Sequence, residues 1–223
     1  MNEPAHTPGI EPRWPVALAI IGVSLLLLEL PDRVRLLPIW VLYAAAAVIL
    51  APMAAVGLSA GKAPWPRVER RITFAFFVFV LIAACVNLGY LLREMLIRST
   101  EVSGMQLLTS SIGLWVTNVV NFSLLYWQLD GGGLEARLNP AGRKPDWLFP
   151  QAGVPEQVAP GWQPKYVDYL FLGFSTATAF SPTDALPLTA RAKLLMMLES
   201  TFSLVTIVTV ASRAINILGI AHS

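Results

Sequence analysis

Residues 166–189 read YVDYLFLGFSTATAFSPTDALPLT, and the fold turns on how this stretch is placed. Its first part, 166–180, is apolar and aromatic but only 15 residues long. A helix that crosses the hydrocarbon core needs roughly 20 apolar residues. The run ends in small hydroxyl residues and is followed by Pro182. The pattern predicts a half-helix that enters a membrane and turns back, which is tolerated only where protein or water covers its backbone. A short sixth span is the alternative.

On either side lie runs long enough to span. Working back towards the N-terminus they are Met105 to Leu129, Ile72 to Leu92, Leu37 to Leu58 and Trp14 to Leu30; on the other side lies Ala190 to Ile220. Trp14, Trp40, Trp65, Trp115, Trp127 and Trp162 fall mostly near run ends, as interfacial anchors do. Composition agrees. Of 223 residues 55% are hydrophobic and 13% charged, with a mean hydropathy of +0.60, whereas a soluble domain is about a quarter charged. The net charge of +2 gives no argument for nucleic acid. The N-terminal segment MNEPAHTPGIEPRW lacks the basic region of a secretory signal, so the first run reads as a retained span. The expected fold is therefore an all-α integral membrane protein of about five transmembrane helices, with a re-entrant helix between the fourth and fifth. Residues 1–104 form an N-terminal three-helix membrane region.

Residues 174–189, FSTATAFSPTDALPLT, resemble the pore loop of potassium channels. Thr176 and Thr178 match threonines of the pore helix, Asp184 the aspartate after the filter, and Pro187 and Thr189 the proline and threonine beyond it. Arg191 and the helix that follows resemble the inner helix. The resemblance covers roughly 105–220 and implies that residues 105–223 are a channel-like pore region: outer helix, 130–165 loop, re-entrant pore helix 166–180, filter-like loop 181–189 and inner helix 190–220. Where those channels carry Val-Gly-Tyr-Gly, this chain has Phe180, Ser181, Pro182 and Thr183. Glycines there let carbonyls turn inward and replace an ion's hydration shell, and Pro fixes φ near −65° and donates no N–H. Potassium selectivity is not expected. More broadly, YWQLDGGGLEAR (126–137), PDWLFPQ (145–151) and the TATAFSPTD loop are similar to uncharacterised bacterial membrane proteins grouped as a domain of unknown function. That resemblance implies an architecture and the bacterial plasma (inner) membrane, multi-pass, and no defined activity.

Outside the loop, Glu199 stands about ten residues into the last run, where acids are rare and face a cavity or a partner. With Ser203 and Thr206 it is a candidate pore-lining residue. Ser200, Ser203, Thr206 and Thr209 form a polar stripe that either faces water or joins helices. Asp130 with Gly131, Gly132 and Gly133 either binds a cation at a pore mouth or closes a helix with a glycine turn, and the turn is the commoner arrangement. Asn118 and Asn121 share a helix face and read as interhelical hydrogen-bond donors and acceptors. Arg67, Arg70 and Arg71 read as headgroup anchors. His6 and His222 sit at opposite ends, and the single Cys85 excludes an intramolecular disulfide or a Cys-based zinc site. No catalytic residues, metal site or cofactor are expected.

Orientation is pulled two ways. Placing the filter loop outside, as in the channels, puts Lys62, Arg67, Arg70, Arg71, Arg137, Arg143, Lys144 and Lys165 outside, against the positive-inside tendency; charge alone favours a cytoplasmic N-terminus. The function expected is a channel-like membrane protein, a weakly selective pore for monovalent cations, working as a homo-oligomer (a tetramer if channel-like) in the lipid bilayer. The alternative is a non-conducting scaffold or sensor that keeps the pore-domain architecture.

Overall fold

A computed structural model describes residues 14–28, 104–133, 144–178 and 185–220, together with single positions and short pieces between 47 and 93. Most of these residues are helical. Four longer helices organise them: α1 (Trp14–Leu28), α2 (Gly104–Leu129), α3 (Tyr166–Thr178) and α4 (Ala190–Ile220). Helix α2 is the centre, packed on α3, α4 and α1. Residues 78–86 are also helical, and Ala84 and Leu88 meet Phe202 of α4 in a small cluster of their own.

Local chemistry sets the ends. Helix α2 stops where three glycines follow Asp130. Gly131, Gly132 and Gly133 have φ of 59°, 97° and 78°, a region that costs residues with a Cβ. The Gly133 N–H donates to the Asp130 carbonyl at 2.9 Å. At the start of α3 the Asp168 carboxylate accepts the Lys165 N–H at 2.7 Å, which satisfies a donor left free near a helix N-terminus. Thr189 stands just before α4, and its hydroxyl oxygen accepts the Ala192 N–H at 3.3 Å.

The segment between α2 and α3 returns to the start of α4. Its strand β1 (Trp147–Leu148) pairs antiparallel with β2 (Leu186–Pro187), with Trp147 opposite Pro187 and Leu148 opposite Leu186. Two short 3-10 turns, Pro150–Gly153 and Pro155–Gln157, carry the chain on towards α3. The core is aromatic. Phe122, Tyr126 and Trp127 of α2, Trp147 and Phe149 of the connecting segment, and Tyr166 and Tyr169 of α3 are all buried together, with Val16 and Ile20 of α1 against them. Tyr126 and Trp147 have ring centroids 4.8 Å apart, and Phe149 meets Tyr169 edge-on at 5.2 Å.

The outer faces are apolar and part of the interior is polar. On α4, Leu194, Met197, Leu204 and Val208 are exposed, while Glu199, Ser203, Thr206 and Thr209 are buried. Helix α3 exposes Val167, Phe171 and Phe174 and buries Ser175 and Thr176. Among the described residues one stretch, Ala190–Thr209 of α4, is long and apolar enough to cross a membrane by length and composition, with a mean hydropathy of 1.4. The sequence leads one to expect five such spans. Helix α1 is described over 15 residues. Helix α2 has 26 residues, and its continuously described side chains begin at Ser111. The expected span 37–58 lies almost wholly outside the described residues, and 72–92 is described in pieces, helical over 78–86.

Trp147 is 1% exposed, so its truncation leaves a large cavity. We expect Trp147→Ala to destabilise the purified protein by about 3–5 kcal/mol, read as a shift in denaturant-induced unfolding in detergent. A loss under about 1 kcal/mol would place Trp147 outside the cooperative core.

Candidate functional site

Two polar constellations stand out, one at the end of α2 and one halfway along it. The first is built on two acids. Asp130 Oδ1 accepts the backbone N–H of Asp146 at 2.6 Å and of Trp147 at 3.3 Å. Its Oδ2 accepts the Tyr169 hydroxyl at 2.6 Å. Asp146 Oδ1 accepts the Thr189 hydroxyl and Arg191 Nε, both at 2.6 Å. Its Oδ2 accepts Arg191 Nη2 and the Gly131 N–H, the latter at 3.1 Å. Arg191 Nη2 also donates to the Leu129 carbonyl at 3.3 Å. The fork of Arg191 thus meets Asp146 with two nitrogens, the strongest form of this pair.

Burial by itself would raise the pKa of Asp146. Hydrogen bonds from Arg191 and Thr189, the Arg191 charge and the Gly131 N–H outweigh that effect and hold the carboxyl below the usual carboxylate range. Both acids therefore serve as acceptors for protein donors drawn from α2, the β1 segment, α3 and the start of α4. Asp130, Gly132 and Gly133, candidates for a cation site, are engaged in ending α2 and anchoring the β1 segment. A Cβ at Gly133 would collide with the Gln128 carbonyl, which makes a glycine obligatory there.

The second constellation lies where α2, α3 and α4 meet. Glu199 is fully buried and accepts the Tyr126 hydroxyl at Oε2. Its Oε1 has no hydrogen-bond partner among the described residues. Asn118 Nδ2 donates to Ser203 Oγ at 2.7 Å. Ser123 donates to the Val119 carbonyl at 2.6 Å. Gly173 of α3 fits against this group: a Cβ there would strike Ser123 Oγ and lie 3.1 Å from the Val119 oxygen and 3.4 Å from Glu199 Oε1. Ser200 Oγ donates to the Thr176 carbonyl at 3.3 Å, a second tie between α3 and α4.

Of the residues singled out in the sequence, Glu199 and Ser203 come together with α2 inside one chain. Thr206 is 1% exposed and its hydroxyl turns back on the Phe202 carbonyl at 2.9 Å. Beside it a groove of about 270 Å³ runs between Ser111, Ile112 and Trp115 of α2 and Thr206, Ile207 and Ala211 of α4. Thr176 and Thr178 close α3, each hydroxyl bonded at 2.8 Å to the carbonyl four residues earlier, Leu172 and Phe174. Phe180, Ser181, Pro182, Thr183 and Asp184, the rest of the filter-like loop, lie outside the described residues. Sequence reasoning did not single out Asp146, Tyr126, Tyr169 or Gly173. The signal for Asp146 is an acid wedged between Pro145 and Trp147; the other three have only their setting in apolar runs. No group of three His, Cys, Asp or Glu side chains converges among the described residues. No family model, no curated protein and no solved structure matches the chain.

Two predictions follow from these geometries. Because the folded pKa of Asp146 lies below its unfolded value, its contribution to stability is complete above about pH 4 and is lost as the pH falls through the folded value. Acid unfolding of Asp146→Asn should therefore show a shallower pH dependence than the wild type. An unchanged slope would remove Asp146 from the linkage. Gly173→Ala should destabilise by about 1–3 kcal/mol through overpacking, and Ser123→Ala should recover part of that loss in a double-mutant cycle. Simple additivity of the two changes would contradict the close approach of α3 to α2.

Proposed function

We propose that the chain is a channel-like integral membrane protein, multi-pass in the bacterial plasma membrane and assembled as a homo-oligomer. In this reading α2 is the outer helix, α3 a re-entrant half-helix and α4 the inner helix. The observation that carries it is the inverted polarity of α4, which buries Glu199, Ser203, Thr206 and Thr209 and exposes Leu194, Met197, Leu204 and Val208. A helix on the surface of a water-soluble protein does the reverse. In lipid the arrangement is the stable one, because polar side chains find partners only between helices.

Within this reading the chain either passes monovalent cations with little selectivity or keeps the pore architecture without conducting. The second is favoured by one specific feature. The polar stripe of α4 is used inside the chain, and the face left for a shared axis is almost wholly aliphatic. Thr201 is an exposed hydroxyl on that face, and it donates to the Met197 carbonyl at 2.8 Å. A pore on such an axis would depend on the filter-like loop alone, with Asp184 as its fixed charge.

The test is the full chain reconstituted in liposomes. It should remain with the membrane after alkaline washing and elute from detergent as an oligomer, a tetramer if fourfold. Background flux of sodium and potassium from a tetramer supports the scaffold. Flux of both ions that falls in Asp184→Asn supports the weakly selective pore. Release by alkaline washing overturns the membrane reading, and a monomer overturns the shared pore.

A further inference from the structure

We propose that Glu199 is a proton-binding site: the carboxyl is kept as the neutral acid, and a proton is its resident counter-ion inside the helix cluster. The inference rests on packing within the chain and is independent of conduction.

Hydrogen-bond accounting leads to it. Glu199 is 0% exposed. Oε2 accepts the Tyr126 hydroxyl, and Oε1 has no partner among the described residues. A buried carboxylate is tolerated when a cation or several donors face it, and otherwise its desolvation costs several kcal/mol. Here one neutral hydroxyl faces it. From α2 the titratable neighbour is Tyr126. From α3, Gly173 comes against Oε1 and brings no side chain. On α4 itself Arg191 lies two turns away, about 12 Å along the axis, with its fork on Asp146. Lys193 is exposed and on a different face.

Asp146 shows the contrast within the same molecule. It too is buried, yet its two oxygens accept four donors: the Gly131 N–H, the Thr189 hydroxyl and two nitrogens of the Arg191 guanidinium. That environment stabilises the charged form of a carboxyl; the environment of Glu199 stabilises the neutral one. The neutral acid also turns Oε1 into a donor. Oε1 borders the space beside Gly173 that a side chain would fill.

Infrared difference spectroscopy of the full chain in detergent tests this, because a protonated carboxyl has a carbonyl stretch that a carboxylate lacks. Expected at neutral pH is a protonated-carboxyl band that Glu199→Gln abolishes and that sodium and potassium leave unchanged. If Glu199→Gln does not fold, Tyr126→Phe serves instead, since losing the hydroxyl on Oε2 shifts the same band without removing it. No band assignable to Glu199 in either variant overturns the proposal. A band that appears only once sodium and potassium are withdrawn also overturns it, because the counter-ion is then a metal cation.

Discussion

The carboxylate of Asp146 holds the described part of the molecule together. It receives Arg191 and Thr189 from the start of α4 and the Gly131 N–H from the end of α2. Its own backbone N–H is fixed by Asp130, which in turn holds Tyr169 of α3. Three helices are thus referenced to one short peptide, Asp146–Trp147. Everything hydrophobic nearby is arranged around that point: Trp147 lies against Tyr126, and Phe149 lies against Tyr169 and Trp162. The polar clamp supplies direction and the aromatic cluster supplies most of the burial energy, since fully burying one such side chain contributes about 1.5–3 kcal/mol.

Halfway down, the constraint changes character. The contacts there are neutral and short-range: Asn118 with Ser203, Ser123 with a carbonyl, Ser200 with a carbonyl, and a glycine where two helices approach. Small and hydroxyl-bearing residues of this kind let backbones come close and supply directional bonds where apolar burial offers no preference between helix and solvent. The same residues give α4 its polar stripe. The stripe therefore reads as an internal seam of the chain, and the aliphatic face opposite it is what the chain offers to its surroundings.

How much of this was legible in the sequence depends on the range of the interaction. The extents of α2 and α4 follow from run length and from the glycines after Asp130, both local signals. The shortness of α3 follows from its 15 apolar residues and the proline beyond. The partner of Glu199 did not follow, because Tyr126 is 73 positions away and an acid in an apolar run specifies only that a partner exists. Asp146 was hidden for the same reason. In sequence it is one charged residue in a Pro-rich connection, and only the return of the chain at β2 brings Arg191 and Thr189 to it. Gly173 looks like any glycine in a helix until Ser123 is placed against it.

The two-residue ladder between β1 and β2 has a consequence of its own. Pairing Trp147 with Pro187 ties together the two ends of everything from Phe149 to Ala185: the turns, α3 and the filter-like loop. Such a tie acts as a non-covalent staple, and the entropy of closing a loop grows only slowly with its length, about 0.6 kcal/mol per doubling. Lengthening the connections inside the staple therefore costs little in closure entropy, so long as α3 keeps Tyr169 on Asp130 and Gly173 against Ser123.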